Sequence, residues 1–315
     1  MKRSVRTTLL ILFSVVVLIS LISVFFGYSD IPIDDLKDKY AQSSSFMEMD
    51  GMNVHFRDEG ESDDSVPILL LHGTGSSLHT YDDWAAALKS SYRVIRLDLP
   101  AYGLTGPFPE HNYSMDNYVK FLTHFLAGMG IDKCILVGNS FGGNVAWNFT
   151  AKNSDKVDKL VLIDASGYPL HSKSVPIAFR LARAPVLKNI FTFISPRFIV
   201  RSSVENVYAD KRKVTDALVD RYFELSLRKG NRQAFIDRFS MELDTTAHLK
   251  IPEIQQPTLV LWGDQDLLIP VEVAHRFHRD LPNDTLVIMN GTGHVPMEES
   301  PEESVEILLS FLKNP

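Results

Sequence analysis

The sequence predicts an α/β fold: a mostly parallel central sheet flanked by helices, with an inserted helical cap and an N-terminal transmembrane helix. Three observations predict it. Six short runs, at 68–71, 94–97, 135–137, 160–163, 259–261 and 286–288, have the near-continuous apolar character of strands covered on both faces. Stretches with helical periodicity, such as 115–129 and 271–281, separate them. Gly138-Asn139-Ser140-Phe141-Gly142 follows one apolar run directly and leads into a helix-compatible stretch to Thr150, which places a serine on a strand-to-helix turn.

Along the chain, Lys2, Arg3 and Arg6 precede residues 7–26, which carry no charge. About 20 apolar residues suffice to cross a bilayer as a helix. Residues 1–29 are therefore expected to form a retained single-pass anchor, with the N-terminus cytoplasmic and the rest of the chain on the exported side. A cleaved signal segment is the rival reading, with Gly27-Tyr28-Ser29 a weak cleavage site. Residues 30–45 read as a polar linker with a short helix, and 46–50 with 53–57 as a hairpin around Gly51 and Met52. The first part of the core is assigned to residues 30–170.

Between the strand ending near Asp164 and the one starting near Thr258 lie some 80 residues more than a plain crossover needs. Residues 171–250 read as an insertion, with an apolar stretch at 175–194 broken by Pro185 and a second helix over 214–227. The second part of the core is assigned to residues 251–315.

A net charge of −7 argues against nucleic acid, whose phosphates demand a basic surface. The charge is uneven: residues 171–250 hold 15 Lys and Arg against 8 Asp and Glu, the remainder 17 against 31. Either the cap helices have solvated basic faces, or this segment faces an anionic lipid surface. Cys134, the single cysteine, can form no internal disulfide and reads as a small buried apolar side chain.

The chemistry begins at Ser140. A serine hydroxyl needs an imidazole to take its proton and a carboxylate to orient that imidazole. Asp264 and Asp266 follow the apolar run ending at Leu261, and His294 follows the run ending at Met289, so each candidate sits at the C-terminal end of a buried strand. His72, His275 and His278 read as structural or surface residues. No spacing suggests a metal, and no cofactor is expected.

With those residues in view, the chain resembles the α/β-hydrolase superfamily from Leu69 to Glu299, in the chain order Ser140, Asp266, His294. Leu71-His72-Gly73-Thr74-Gly75 resembles the family's oxyanion loop, which implies that the backbone N–H groups of Thr74 and Phe141 bind the oxyanion. Asp98-Leu99-Pro100-Ala101-Tyr102-Gly103 is similar to the loop after the fourth strand, with Ala101 where glycine is common and Asp98 as a structural acceptor. Asp266, four residues before Pro270, fits the family's spacing for the acid; Asp264 is the alternative. The resemblance implies that residues 171–250 form a helical cap over the site and that the chain hydrolyses a small, lipophilic carboxylic ester through an acyl-enzyme. Three alternatives stand beside it. The segment Gly138 to Gly143 also resembles the elbow of carbon–carbon bond hydrolases of the meta-cleavage type, although Val295 stands where that group commonly has an aromatic. Epoxide hydrolases and haloalkane dehalogenases share the fold but use an aspartate where this chain has Ser140. A non-catalytic binding protein on the same fold is the third.

Overall fold

The computed structural model describes residues 6–10, 13–14, 17, 27–60, 66–185, 188, 192–193, 195–242 and 244–313. Eight strands form one sheet: β1 (Ser45–Met49), β2 (Met52–Glu59), β3 (Ile68–Leu71), β4 (Val94–Leu97), β5 (Cys134–Asn139), β6 (Val157–Ile163), β7 (Thr258–Gly263) and β8 (Asp284–Met289). Their spatial order is β1-β2-β4-β3-β5-β6-β7-β8, antiparallel from β1 through β2 to β4 and parallel from there on. Among the described residues, the helices that pack with this sheet and the segment inserted into it are α1 (Ile33–Tyr40), α2 (Asp82–Leu88), α3 (Met115–Gly128), α4 (Phe141–Lys152), α5 (Ile177–Arg183), α6 (Arg197–Glu205), α7 (Asp216–Ser226), α8 (Asn231–Ser240), α9 (Glu272–Asp280), α10 (Pro296–Glu299) and α11 (Pro301–Lys313).

The apolar runs are continuous because the sheet is buried on both sides. Leu69, Leu71, Ile95, Leu97, Leu136, Leu162 and Val260 pack into one layer of core, while Ile68, Leu70, Val94, Val137, Val161, Ile163 and Leu259 pack into the other. Successive side chains on a strand point to opposite faces, so a strand with two buried faces takes apolar side chains on both unless a polar one is paired, as Arg96 of β4 is with Glu59 and Asp82. The edge hairpin obeys a different rule. Asp50 and Gly51 both adopt positive φ, 49° and 73°, as the tight turn between twisted antiparallel strands requires.

Helices α5 to α8 lie between β6 and β7. Phe179 of α5 packs against Phe235 and Phe239 of α8 at ring-centroid distances of 5.9 and 5.0 Å. Much of the basic surplus of this segment is used internally. Arg197 pairs with Asp216 and Asp220, Arg201 with Asp216, Arg221 with Glu298, and Arg212 with Asp210. These pairs support the reading of ordinary charged helix faces.

The expected N-terminal membrane anchor, and with it the membrane partner and the exported location, is corrected. Among the described residues no helix is long and apolar enough to cross a membrane. Most of the apolar stretch to residue 26 lies outside the described residues.

Candidate active site

Ser140 sits between β5 and α4 with φ 55° and ψ −115°, a conformation that costs a non-glycine residue and marks a strained turn. The turn closes because its flanks lack side chains. A Cβ on Gly138 would stand 2.3 Å from the Gly142 carbonyl oxygen, and one on Gly142 would stand 2.3 Å from that of Leu71. The Ser140 N–H donates to the Ile163 carbonyl at 2.9 Å, and its own carbonyl accepts from the N–H groups of Asn144 and Ser166. Strands β5 and β6 thus hold the serine from both directions.

The two other predicted residues converge from the ends of β7 and β8. His294 Nδ1 lies 2.6 Å from Asp266 Oδ2, and both residues are buried. The other Asp266 oxygen accepts from the N–H groups of Leu268 and Ile269 at 2.8 and 3.0 Å, so the carboxylate is fixed in place. Asp264 does not touch the imidazole. Its carboxylate accepts from the Gly291 N–H at 2.7 Å and ties the two loops together at the surface. Ser140, His294 and Thr74 line one cavity of about 140 Å³, walled by Phe179, Val200, Val204, Val207, Phe235 and Leu268. Phe141 opens α4, where the first backbone N–H groups of a helix have no intrahelical partner.

His72 and Asp98 have the structural roles expected of them. The Leu99 N–H donates to His72 Nε2 at 2.9 Å, and His72 Nδ1 lies 2.8 Å from the Gly73 carbonyl. Burial lowers the His72 pKa, which favours the neutral ring that can accept this bond. Asp98 accepts from the N–H groups of Leu78 and Leu104, both at 2.7 Å, and from His55 Nδ1 at 2.6 Å. His278 meets Asp284 near the surface.

Four residues that support the site went unread. The Asn139 amide donates to the carbonyls of Ile163 and His294, at 3.2 and 3.0 Å, and so ties the elbow to the histidine loop. Glu299 accepts from the N–H groups of Gly293, Ala209 and Asp210 at 2.7, 3.1 and 2.7 Å, joining the histidine loop to the inserted segment. Arg238 of α8 lies 3.8 Å from the centroid of the Phe141 ring and hydrogen-bonds Tyr102 and the Thr74 hydroxyl. The fourth, Asp164, stands beside Asp266. Burial pushes its carboxyl well above the usual range, and the neighbouring Asp266 pushes it further. Of these, only the aspartate carried a local signal, as an acidic residue closing an apolar strand.

Asp164, Asp266 and His294 place one potential ligand atom each within 4.8 Å of one another. Asp266 has already committed its oxygens to two amides and an imidazole, an arrangement that suits orientation of the ring better than coordination of a cation.

The fold and the elbow define a hydrolase of the α/β class. The α/β-hydrolase fold family matches residues 66–301, and the chain belongs to it. An uncharacterized hydrolase of Bacillus subtilis (strain 168), YugF, is 27% identical over 84% of this chain and 96% of its own length. The 2-hydroxy-6-oxo-6-(2'-aminophenyl)hexa-2,4-dienoic acid hydrolase of Metapseudomonas resinovorans is 26% identical over 88% of this chain and 93% of its own. A thermophilic esterase from Thermogutta terrifontis shares the fold, with a TM-score of 0.70 and 24% identity over 86% of this chain and 97% of that one.

Proposed function

We propose that the chain hydrolyses carboxylic esters through an acyl-enzyme, with residues 171–250 serving as a cap over the site and residues 30–170 and 251–315 as the core. The observation that carries this reading is the His294–Asp266 contact of 2.6 Å on the wall of a cavity that Ser140 shares. Ser140 Oγ attacks the ester carbonyl as His294 takes its proton, and the N–H groups of Thr74 and Phe141 receive the developing oxyanion. Collapse expels the alcohol, which leaves with the proton from His294. Water, deprotonated by the same imidazole, then attacks the acyl-serine and releases the acid. The protonated imidazole is stabilised and held in one orientation by Asp266 throughout. A cavity near 150 Å³ accommodates a group about the size of benzene, so a short acyl or alcohol part suits the volume here.

A second reading, carbon–carbon bond hydrolysis of the meta-cleavage type, is supported by the dienoic acid hydrolase relative and by the elbow Gly138 to Gly143. Against it stands Val295, a small apolar residue on the cavity wall next to His294.

One assay separates them. The protein is offered 4-nitrophenyl esters of rising chain length and, in parallel, a dienoate ketone, with a serine-directed fluorophosphonate as label. Ester turnover that peaks at short chains and is lost with labelling of Ser140 is expected. Turnover of the ketone alone would establish the second reading, and failure of the label to attach would overturn both.

A further inference from the structure

The two oxyanion donors of the proposed mechanism come from different loops: Thr74 follows β3, and Phe141 follows β5. Such donors act through fixed separation and aim, so whatever ties the two loops together governs their effect. The backbones already run close, since a Cβ on Gly142 would meet the Leu71 carbonyl. The side chains are joined by Arg238 of α8. Its Nη2 donates to the Thr74 hydroxyl, and its guanidinium lies over the Phe141 ring, 3.8 Å from the centroid. Tyr118 stands edge-on to that ring at 4.9 Å, so Phe141 is held between a cation and an aromatic. Nε donates to the Tyr102 hydroxyl at 2.5 Å, and the Tyr102 ring stands edge-on to His72 at 5.7 Å. One planar group therefore touches the loops after β3, β4 and β5.

Its charge is also unbalanced. Arg197, Arg201, Arg212 and Arg221 of the inserted segment each pair with a carboxylate, whereas among the described residues Arg238 meets hydroxyls and rings and no carboxylate. A full positive charge thus stands beside the two residues whose N–H groups meet the developing negative charge. We propose that Arg238 is a positioning residue for the oxyanion site: its contacts with Thr74 and Phe141 fix the two N–H groups for the tetrahedral intermediate, so that the site is complete only when the inserted segment sits on the core. This deepens the ester-hydrolase reading and rests on it. The guanidinium acts through its neighbours, since it does not line the cavity. Its planar fork serves two hydroxyls at the edge while its face covers a ring, which a lysine ammonium cannot do at once. α8 carries it into place through Phe235 and Phe239, which pack on Phe179 of α5.

The test uses the full chain with 4-nitrophenyl butyrate and two inhibitors. Trifluoromethyl propyl ketone forms a hemiketal with Ser140 whose oxyanion occupies the site; the corresponding alcohol fills the same cavity without one. Arg238→Met should lower kcat by about 10- to 100-fold with KM within about twofold of wild type, the pattern of an interaction made only in the transition state. The Ki of the ketone should rise by the same factor, and that of the alcohol by less than about threefold. Thr74→Val keeps the N–H and removes the hydroxyl. It should lower kcat about three- to tenfold with the same split between the inhibitors, and it serves alone if Arg238→Met fails to fold. The double variant should be no worse than Arg238→Met, because both changes break one contact. Wild-type kcat in Arg238→Met, or equal weakening of ketone and alcohol, would overturn the proposal. If the wild type turns over no ester, the ester reading fails instead, and the inhibitors then decide Arg238 alone. A preference for ketone over alcohol that is lost in Arg238→Met supports it, and no preference, or one that survives, sinks it.

Discussion

Among the described residues, two buried His–Asp contacts share the same geometry. His294 Nδ1 lies 2.6 Å from Asp266, and His55 Nδ1 lies 2.6 Å from Asp98. In both, the carboxylate also accepts two backbone N–H groups: Leu268 and Ile269 in one, Leu78 and Leu104 in the other. What differs is the far side of the imidazole. His294 lines the cavity with Ser140, whereas His55 Nε2 is buried without a partner and its ring stacks on Phe46 at 5.1 Å. A short His–Asp contact is therefore a way of fixing a ring or holding a loop, and it becomes a proton-transfer device only where the second nitrogen meets a nucleophile and a space for substrate.

The largest effect should separate the two histidines. His294→Ala is expected to lower ester turnover by about 10⁴- to 10⁶-fold with the fold retained, because nucleophile activation is lost. His55→Ala should do the reverse. It takes one of three donors from the buried Asp98 carboxylate, which costs about 1 to 3 kcal/mol of stability, while kcat per folded molecule stays close to wild type. Urea unfolding alongside active-site titration measures both quantities. Comparable loss of kcat in the two variants would mean that the buried pair communicates with the cavity and that access does not explain the difference.

The carboxylates sharpen the same contrast. Asp266→Asn should reduce kcat by about 10³- to 10⁴-fold through loss of ring orientation and charge, whereas Asp264→Asn, which loosens one exposed bond to Gly291, should cost less than about tenfold. Steady-state rates on a short-chain 4-nitrophenyl ester test the order. A larger loss at Asp264 would move the acid to that position.

Much of this site was legible because its chemistry is written in short local patterns. Strands 68–71 and 94–97 match their apolar runs residue for residue, and Ser140 is marked by the glycines that its turn needs. The choice of Asp266 over Asp264 came from the family's spacing, four residues before Pro270, and Asp266 is the one of the two that contacts His294. The supporting shell was not legible, because it is made of contacts across long separations. Glu299 bonds N–H groups about 90 residues upstream, Arg238 reaches Thr74 across 164, and His55 meets Asp98 across 43. No periodicity records such pairs. The N-terminal run shows the opposite failure, where length and hydropathy promised a spanning helix that the described residues do not contain.

The smallest expected effect concerns pH and the ring that flanks the second pair. Burial lowers the pKa of His79 to about 4. Its bonds fit a neutral ring: Nε2–H donates to the Tyr40 carbonyl at 2.9 Å, and Nδ1 accepts from the Ser77 hydroxyl at 3.1 Å. The ordinary value is about 6.5, so the unfolded chain binds the proton first as pH falls. The contribution to stability is thus complete above about pH 6.5 and is lost as pH drops through about 4. Asp98 adds a lower window. Burial opposes its charge, but His55, and His72 and His79 beyond it, hold its carboxyl below the ordinary carboxylate range. Its contribution is present above about pH 4 and fades below that. His79→Gln keeps a donor for Tyr40 and an acceptor for Ser77 while removing the titration. The stability gap between wild type and His79→Gln should shift by about 1 to 3 kcal/mol between pH 7.5 and 4.5, with wild type losing more. The residual slope belongs partly to His72, whose pKa is lowered by burial as well. Catalysis should ignore the change, because His79 does not line the cavity that Ser140 and His294 share. Parallel stability curves for the two proteins would remove His79 from the account, and a shifted kcat/KM profile would show that the two His–Asp regions are coupled after all.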